Sequence, residues 1–96
     1  MYDILKITYI WVILGEAMRY TTIIIERIQS LCAERGLSIN KLANMSGLKQ
    51  STLDNIMRGL TKNPGIQTLH KIANGLSMTL AELLDIEELN NFSFDE

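Results

Sequence analysis

The chain has 96 residues, of which 47% are apolar and 21% are charged, and its formal net charge is −2. These values describe one globular domain with a single core and exclude a two-domain enzyme. The lone Cys32 excludes an intrachain disulfide, and the lack of clustered His and Cys excludes a structural zinc site. The chain has one His and no glycine-rich phosphate loop, so its composition predicts a cytoplasmic binding protein without a cofactor rather than an enzyme.

The charges are divided unevenly along the chain. Residues 18–76 include eight basic and three acidic residues, whereas residues 77–96 include six acidic residues and no basic one. A basic body is typical of a protein that contacts a polyanion, and this body contains the motif described below. The alternative interpretation is an ordinary solvated surface with an acidic end.

Residues 1–17 differ in character from the rest of the chain. The stretch from Ile4 to Leu14 is nearly all apolar, but a membrane-spanning helix needs about 20 such residues, and Lys6 interrupts it. We expect an additional strand or helix packed on the domain or on a second subunit; a membrane-associated role is the weaker alternative. A further hypothesis is that the biological start is Met18, because the composition changes abruptly there. Peptides from residues 1–17 in the native protein would exclude it.

From residue 21 onward, apolar residues recur at helical spacing, and no stretch alternates in the manner of a strand. The first helix is predicted to begin at Thr21 or Thr22 and to bury Cys32 on its apolar stripe. The fourth is predicted to stop at Gly75, and the polar end of the chain is expected to fray. The predicted helices are 21–35, 38–45 capped by Ser38, 50–57, 66–74, and a fifth that begins at the capping box Thr79-x-x-Glu82.

The most informative stretch is residues 39–58, INKLANMSGLKQSTLDNIMR. It predicts that the second and third helices are joined by a tight turn, in which Gly47 takes the positive φ that glycine adopts without steric cost. Small Ala43 lets the two helices cross closely, and the apolar residues that clamp the pair are Leu42, Leu53 and Ile56. This combination predicts a helix-turn-helix whose second helix protrudes.

Together with Leu37 and Gly59, these residues resemble the lambda-repressor-like, Xre/Cro-type family of DNA-binding proteins. Residues 63–84 resemble that family's fourth and fifth helices. The resemblance implies an all-α, five-helix domain over residues 18–86, followed by an acidic tail at 87–96. It also implies a phage- or bacterial-type transcriptional regulator, of the repressor kind, that binds double-stranded DNA in the nucleoid as a homodimer on two half-sites.

In that family the third helix enters the major groove, and its usual base-reading positions fall on Gln50, Ser51 and Asn55. Amide side chains suit this role because they can pair with both groups of an adenine edge. The phosphate contacts that the resemblance implies fall on Ser38, Lys49, Thr52, Arg58 and Lys62.

Two residues depart from the family pattern. Ile39 stands where many relatives place a glutamine that contacts the DNA backbone. Lys49 stands where a Ser or Thr cap is usual, so the third helix is expected to lack a side-chain cap.

The alternative function is a helix-turn-helix module that binds another protein, such as an antitoxin or an anti-regulator. In that case the apolar residues 1–17 and the fifth helix would hold the partner, while the acidic tail would mimic nucleic acid. His70, on the predicted fourth helix, is expected to be exposed rather than catalytic.

Overall fold

The computed structural model describes the backbone of residues 4–61 and 63–94, and the side chains of these residues from Arg19 onward. Within these ranges the chain is all-helical, which confirms the predicted fold class. There are six helices in this part of the chain, one more than predicted. They are α1 (Ile4–Arg35), α2 (Ile39–Ser46), α3 (Gln50–Met57), α4 (Ile66–Gly75), α5 (Leu80–Leu84) and α6 (Glu87–Asn90).

Helix α1 begins 17 residues before the predicted start at Thr21. Thr21 and Thr22 lie inside the helix, and Thr21 is buried, so the prediction that either residue caps it is wrong. The helix extends back to Ile4 because residues 4–35 contain no proline and because the single Gly15 destabilises a helix by only about 1 kcal/mol. Of the two structures expected for residues 4–17, the helix is therefore correct. Within the described residues, no helix has the length and apolar character needed to cross a membrane.

The core lies where α1 meets the four helices that follow it. Its buried side chains are Ile24, Ile28, Leu31, Cys32, Leu42, Ala43, Leu53, Leu69, Ile72, Ala73, Leu76 and Leu83. Cys32 is buried as predicted, and its burial raises the pKa of the thiol, with a smaller opposing effect from the Arg35 cation. A buried thiol with a raised pKa is a packing residue rather than a nucleophile.

Two arginines of α1 bind the carboxyl ends of other helices. Arg27 donates from Nη2 to the carbonyl oxygen of Glu82 at 3.2 Å and from Nε to that of Leu83 at 3.4 Å. Arg35 donates from Nη1 to the carbonyl oxygen of Leu76, the residue that caps α4. Cations are favourable at helix C-termini, where carbonyl groups lack partners. These contacts attach α1 to the ends of α4 and α5.

Helices α2 and α4 approach each other at Gly75, which is the last residue of α4 rather than the predicted stop after it. A Cβ atom at Gly75 would overlap Ser46 Oγ and would lie 3.1 Å from the Ser46 backbone nitrogen. The left-handed residue that follows α4 is Ser77, with φ 58°. Gly75 is therefore required for close helix packing and not for the turn.

The end of the chain packs on α1. The rings of Tyr20 and Phe92 meet edge to face with centroids 5.1 Å apart, and Phe94 lies 5.4 Å from Tyr20 and 4.8 Å from Phe92. The Arg19 guanidinium lies 5.5 Å from the Phe92 ring centroid. Ring pairs and cation–π contacts of this kind add stabilisation beyond burial alone. The expectation that this end frays is therefore wrong through Phe94.

Candidate nucleic-acid interface

The helix-turn-helix forms as the sequence predicts. Ser38 caps α2 by accepting a hydrogen bond from the backbone N–H of Lys41 at 3.1 Å. Gly47 ends the helix with φ 68°, and the Leu48 N–H then donates to the carbonyl oxygen of Ala43 at 2.9 Å. Ala43 is completely buried, as a close helix crossing requires. Local capping and glycine chemistry thus determine where α2 starts and ends.

Helix α3 has one buried face and one exposed face. Leu53 is completely buried and Ile56 is 2% exposed, so these two residues anchor the helix on the core. A helix turns by about 100° per residue, which places the polar residues on the opposite arc. The exposed residues of this helix and its C-cap are Gln50, Ser51, Thr52, Asp54, Asn55 and Arg58. The three predicted base-reading residues therefore share one solvent-facing surface.

The first turn of α3 has no side-chain cap, as expected from its N-cap residue. Lys49 has the extended backbone of an N-cap, with φ −65° and ψ 140°, but its side chain accepts no hydrogen bond from the helix. A lysine ammonium has donors and no acceptor, so it cannot replace a serine or threonine here. The Thr52 N–H donates instead to the backbone carbonyl oxygen of Lys49 at 3.0 Å, so no side-chain oxygen takes part in this cap.

The predicted phosphate-binding residues that the structure describes are exposed to solvent. Ser38, Lys49 and Thr52 are exposed, and Lys62 lies outside the described residues. The Arg58 side chain is 66% exposed, and its Nη1 atom lies 3.7 Å from Oδ2 of Asp54 one turn earlier on the helix. Ion pairs at this spacing and exposure contribute only a few tenths of a kcal/mol, so Arg58 remains able to exchange partners.

Asp54 is the residue of this surface that the sequence analysis missed. Two features of the sequence indicate that Asp54 lies on this surface: it precedes Arg58 by four residues, and it falls on the polar face of the predicted helix. Its carboxylate faces solvent beside the predicted base-reading residues.

Two other residues bear on the sequence analysis. Ile39, which stands at the family's glutamine position, is half-buried and packs against the core, and its aliphatic side chain has no hydrogen-bond donor for a phosphate. His70 is exposed on α4, as predicted. Among the described residues, no group of His, Cys, Asp and Glu is arranged to hold a metal ion.

Comparison with known proteins places most of this domain in one family. Residues 27–88 match the Cro/C1-type HTH DNA-binding domain. The HTH-type transcriptional regulator SlrR of Bacillus subtilis is 44% identical over 55 residues, which are 57% of this chain and 36% of SlrR. The HTH-type transcriptional regulator SinR of the same species is 38% identical over 60 residues, which are 62% of this chain and 54% of SinR. The chain thus spans about a third to a half of the length of these curated relatives.

Two solved structures share the fold. An HTH_3 family transcriptional regulator from Vibrio cholerae superposes with a TM-score of 0.64 at 29% identity, covering 78% of this chain and 39% of that one. A chain from a complex of SinR protein with SinI protein superposes with a TM-score of 0.60 at 36% identity, covering 73% of this chain and 67% of that one. The family predicted from the helix-turn-helix residues is confirmed: this chain belongs to the Cro/C1-type helix-turn-helix DNA-binding domains.

Proposed function

We propose that this chain binds double-stranded DNA sequence-specifically and regulates transcription, with α3 inserted in the major groove. The observation that carries the proposal is the exposed polar arc of α3, held on the core by Leu53 and Ile56. Family membership supports it, and so do the names of SlrR and SinR, both HTH-type transcriptional regulators. A protruding helix with polar side chains fits the major groove, where each base pair presents a distinct pattern.

Sequence is read by Gln50, Ser51 and Asn55. The amides of Gln50 and Asn55 each offer a donor and an acceptor, which match the N6 and N7 groups of adenine. A good bidentate pair discriminates against the wrong base by about 1–3 kcal/mol. Ser51 donates or accepts and therefore adapts to several bases.

Affinity comes mainly from phosphates, through Ser38, Lys49, Thr52, Arg58 and Lys62. Each phosphate that is neutralised releases condensed counterions, which makes binding fall steeply with salt. The first turn of α3 also favours an anion, because its amides receive no side-chain acceptor from Lys49. A DNA phosphate at this place would complete the missing cap.

Two copies of the chain bind together, on half-sites about one helical turn apart, because a reader of this size makes few contacts alone. The domain spans residues 18–86, and the protein acts in the bacterial cytoplasm as a repressor without a cofactor.

Selection of binding sites from random duplex DNA, followed by salt titrations on the selected site, tests the proposal. Gln50→Ala and Asn55→Ala are expected to relax the sequence preference, because each removes a base-reading amide. Lys49→Ala is expected to weaken binding to all sequences and to reduce the salt slope by about one. Lys71→Ala is the matched control, since it removes an exposed basic side chain from α4, outside the helix-turn-helix. Unchanged binding by the Gln50→Ala, Asn55→Ala double variant would exclude these readers.

A second candidate function is binding to another protein, for which the likeness to a chain of the SinR/SinI complex is the specific observation. Here the chain would serve as an antitoxin-like or anti-regulator module. Its interface would be largely apolar, so its affinity would change little with salt, whereas DNA binding would fall steeply. The same titration therefore separates the two functions.

A further inference from the structure

Asp54 lies among the residues that face the major groove in the proposed function. On a helix it falls about 40° from Gln50 and about 100° from Asn55, so it lies between these two amides on the exposed arc. Its side chain is 52% exposed. Any docking of α3 that brings Gln50 and Asn55 to the bases also brings this carboxylate to them.

An ionised carboxylate in the groove tolerates few bases. It has acceptors and no donor. Guanine presents two acceptors, thymine presents one, and adenine places the N7 acceptor beside its N6 donor. Cytosine is the base that presents the N4 donor without an acceptor of its own. Cytosine therefore offers a hydrogen bond without an opposing acceptor, whereas guanine and thymine repel the carboxylate and adenine sets its N7 acceptor against its N6 donor.

Arg58 makes the approach of Asp54 to DNA feasible. Its Nη1 atom lies 3.7 Å from Asp54 Oδ2, so a positive charge accompanies the carboxylate on the same face of the helix. Without this neighbour, repulsion from the flanking phosphates would oppose the entry of an acid into the groove. The pair thus presents a carboxylate whose charge is partly balanced but whose oxygens remain accessible.

We propose that Asp54 is a specificity-determining residue that accepts a hydrogen bond from the N4 amino group of a cytosine in the recognised site. This inference rests on the proposed function, because it needs α3 in the major groove. The negatively charged carboxylate of Asp54 would thus favour cytosine over the other bases, beside two amides that favour adenine.

The test compares the full-length protein with Asp54→Ala on random duplex DNA and then on single-base variants of the selected site. The wild type is expected to select cytosine at one position and to bind it at least about tenfold more tightly than any other base there. In Asp54→Ala that ratio falls below about twofold, while the preferences due to Gln50 and Asn55 persist. Asp54→Asn, which carries a donor as well as an acceptor, shifts the preference at this position toward adenine.

Two controls separate base reading from general effects of charge. Glu34→Ala removes one exposed acid from α1 and is expected to leave the cytosine preference intact. Arg58→Ala is expected to weaken binding to all sequences and to reduce the cytosine preference, because the Asp54 carboxylate then approaches the DNA without its neighbouring cation. Thermal melts of each variant establish that these surface changes leave the fold unaffected.

Several results would overturn the inference. One is a selected site without a dominant cytosine; another is an Asp54→Ala protein that binds every sequence more tightly by the same factor. A cytosine preference that persists in Asp54→Ala but disappears in Arg58→Ala would likewise show that Asp54 does not make the contact. If a selected site depends on Gln50 and Asn55 but not on Asp54, the inference fails and the proposed function stands. If no duplex sequence is enriched at all, both fail.

Discussion

Replacing Gly75 by alanine tests the close approach of α2 and α4. The new Cβ would overlap Ser46 Oγ and would lie 3.1 Å and 3.2 Å from the backbone nitrogen and Cα of Ser46. The hydroxyl can rotate away, but the backbone cannot, so the helices must separate. Overpacking of this kind costs roughly 2–3 kcal/mol, and the better helix propensity of alanine returns about 1 kcal/mol. We expect a net loss of about 1–2 kcal/mol, which lowers the melting temperature by about 5–15 °C.

Thermal unfolding followed by circular dichroism measures this loss. Asn74→Ala is the matched control, because it adds an alanine at an exposed position of the same helix and is expected to keep or raise the melting temperature. Ser46→Ala removes a hydroxyl that is buried and, among the described residues, without a hydrogen-bond partner, so alone it is expected to be near neutral. Combined with Gly75→Ala, it is expected to recover part of the loss. A Gly75→Ala protein as stable as the wild type would refute the packing argument.

Three further predictions concern the second half of the chain. Ser77→Gly is expected to raise the free energy of unfolding in denaturant by up to about 1 kcal/mol, because glycine adopts the left-handed backbone conformation of this position without strain. A lower free energy of unfolding would show that the serine is not strained. The Thr79 backbone N–H donates to the Glu82 carboxylate at 3.0 Å, and this bond, with a smaller effect of the Thr79 side chain, lowers the pKa of Glu82. The stabilisation is therefore present above the ordinary glutamate pKa and is lost as pH falls through the lowered value. Glu82→Gln is therefore expected to flatten the acid limb of the stability–pH profile, and an unchanged limb would contradict this. Phe92→Ala is expected to increase tryptic cleavage after Arg19 by releasing the end of the chain, and unchanged cleavage would argue against that contact.

The helix-turn-helix was predictable from sequence because its determinants are local. Ser38 and Gly47 act on backbone groups within four residues, and the apolar spacing around Leu53 specifies which face of α3 is buried. The exposed positions of the predicted base-reading residues follow from the same register. Their contacts with bases remain a prediction, because DNA recognition depends on a partner as well as on the helix.

The features that the sequence analysis missed depend on contacts between distant residues. Threonine is a good cap, so the sequence predicts that α1 starts at Thr21, yet no residue between Ile4 and Thr21 breaks the helix. Gly75 resembles a helix stop, and only the neighbouring α2 shows why a side chain is excluded there. The ring contacts of Tyr20 with Phe92 and Phe94 join residues more than 70 positions apart, which no local pattern indicates.

The continuity of α1 supports the residues on which the C-terminal phenylalanines pack. In the full chain, several helical turns precede Arg19 and Tyr20, so the platform for the aromatic rings lies well inside the helix. A polypeptide that starts at Met18 would place both residues in an opening turn, where amides lack partners and the backbone readily frays. Such a polypeptide would keep α3 unchanged but would hold the C-terminal phenylalanines less firmly.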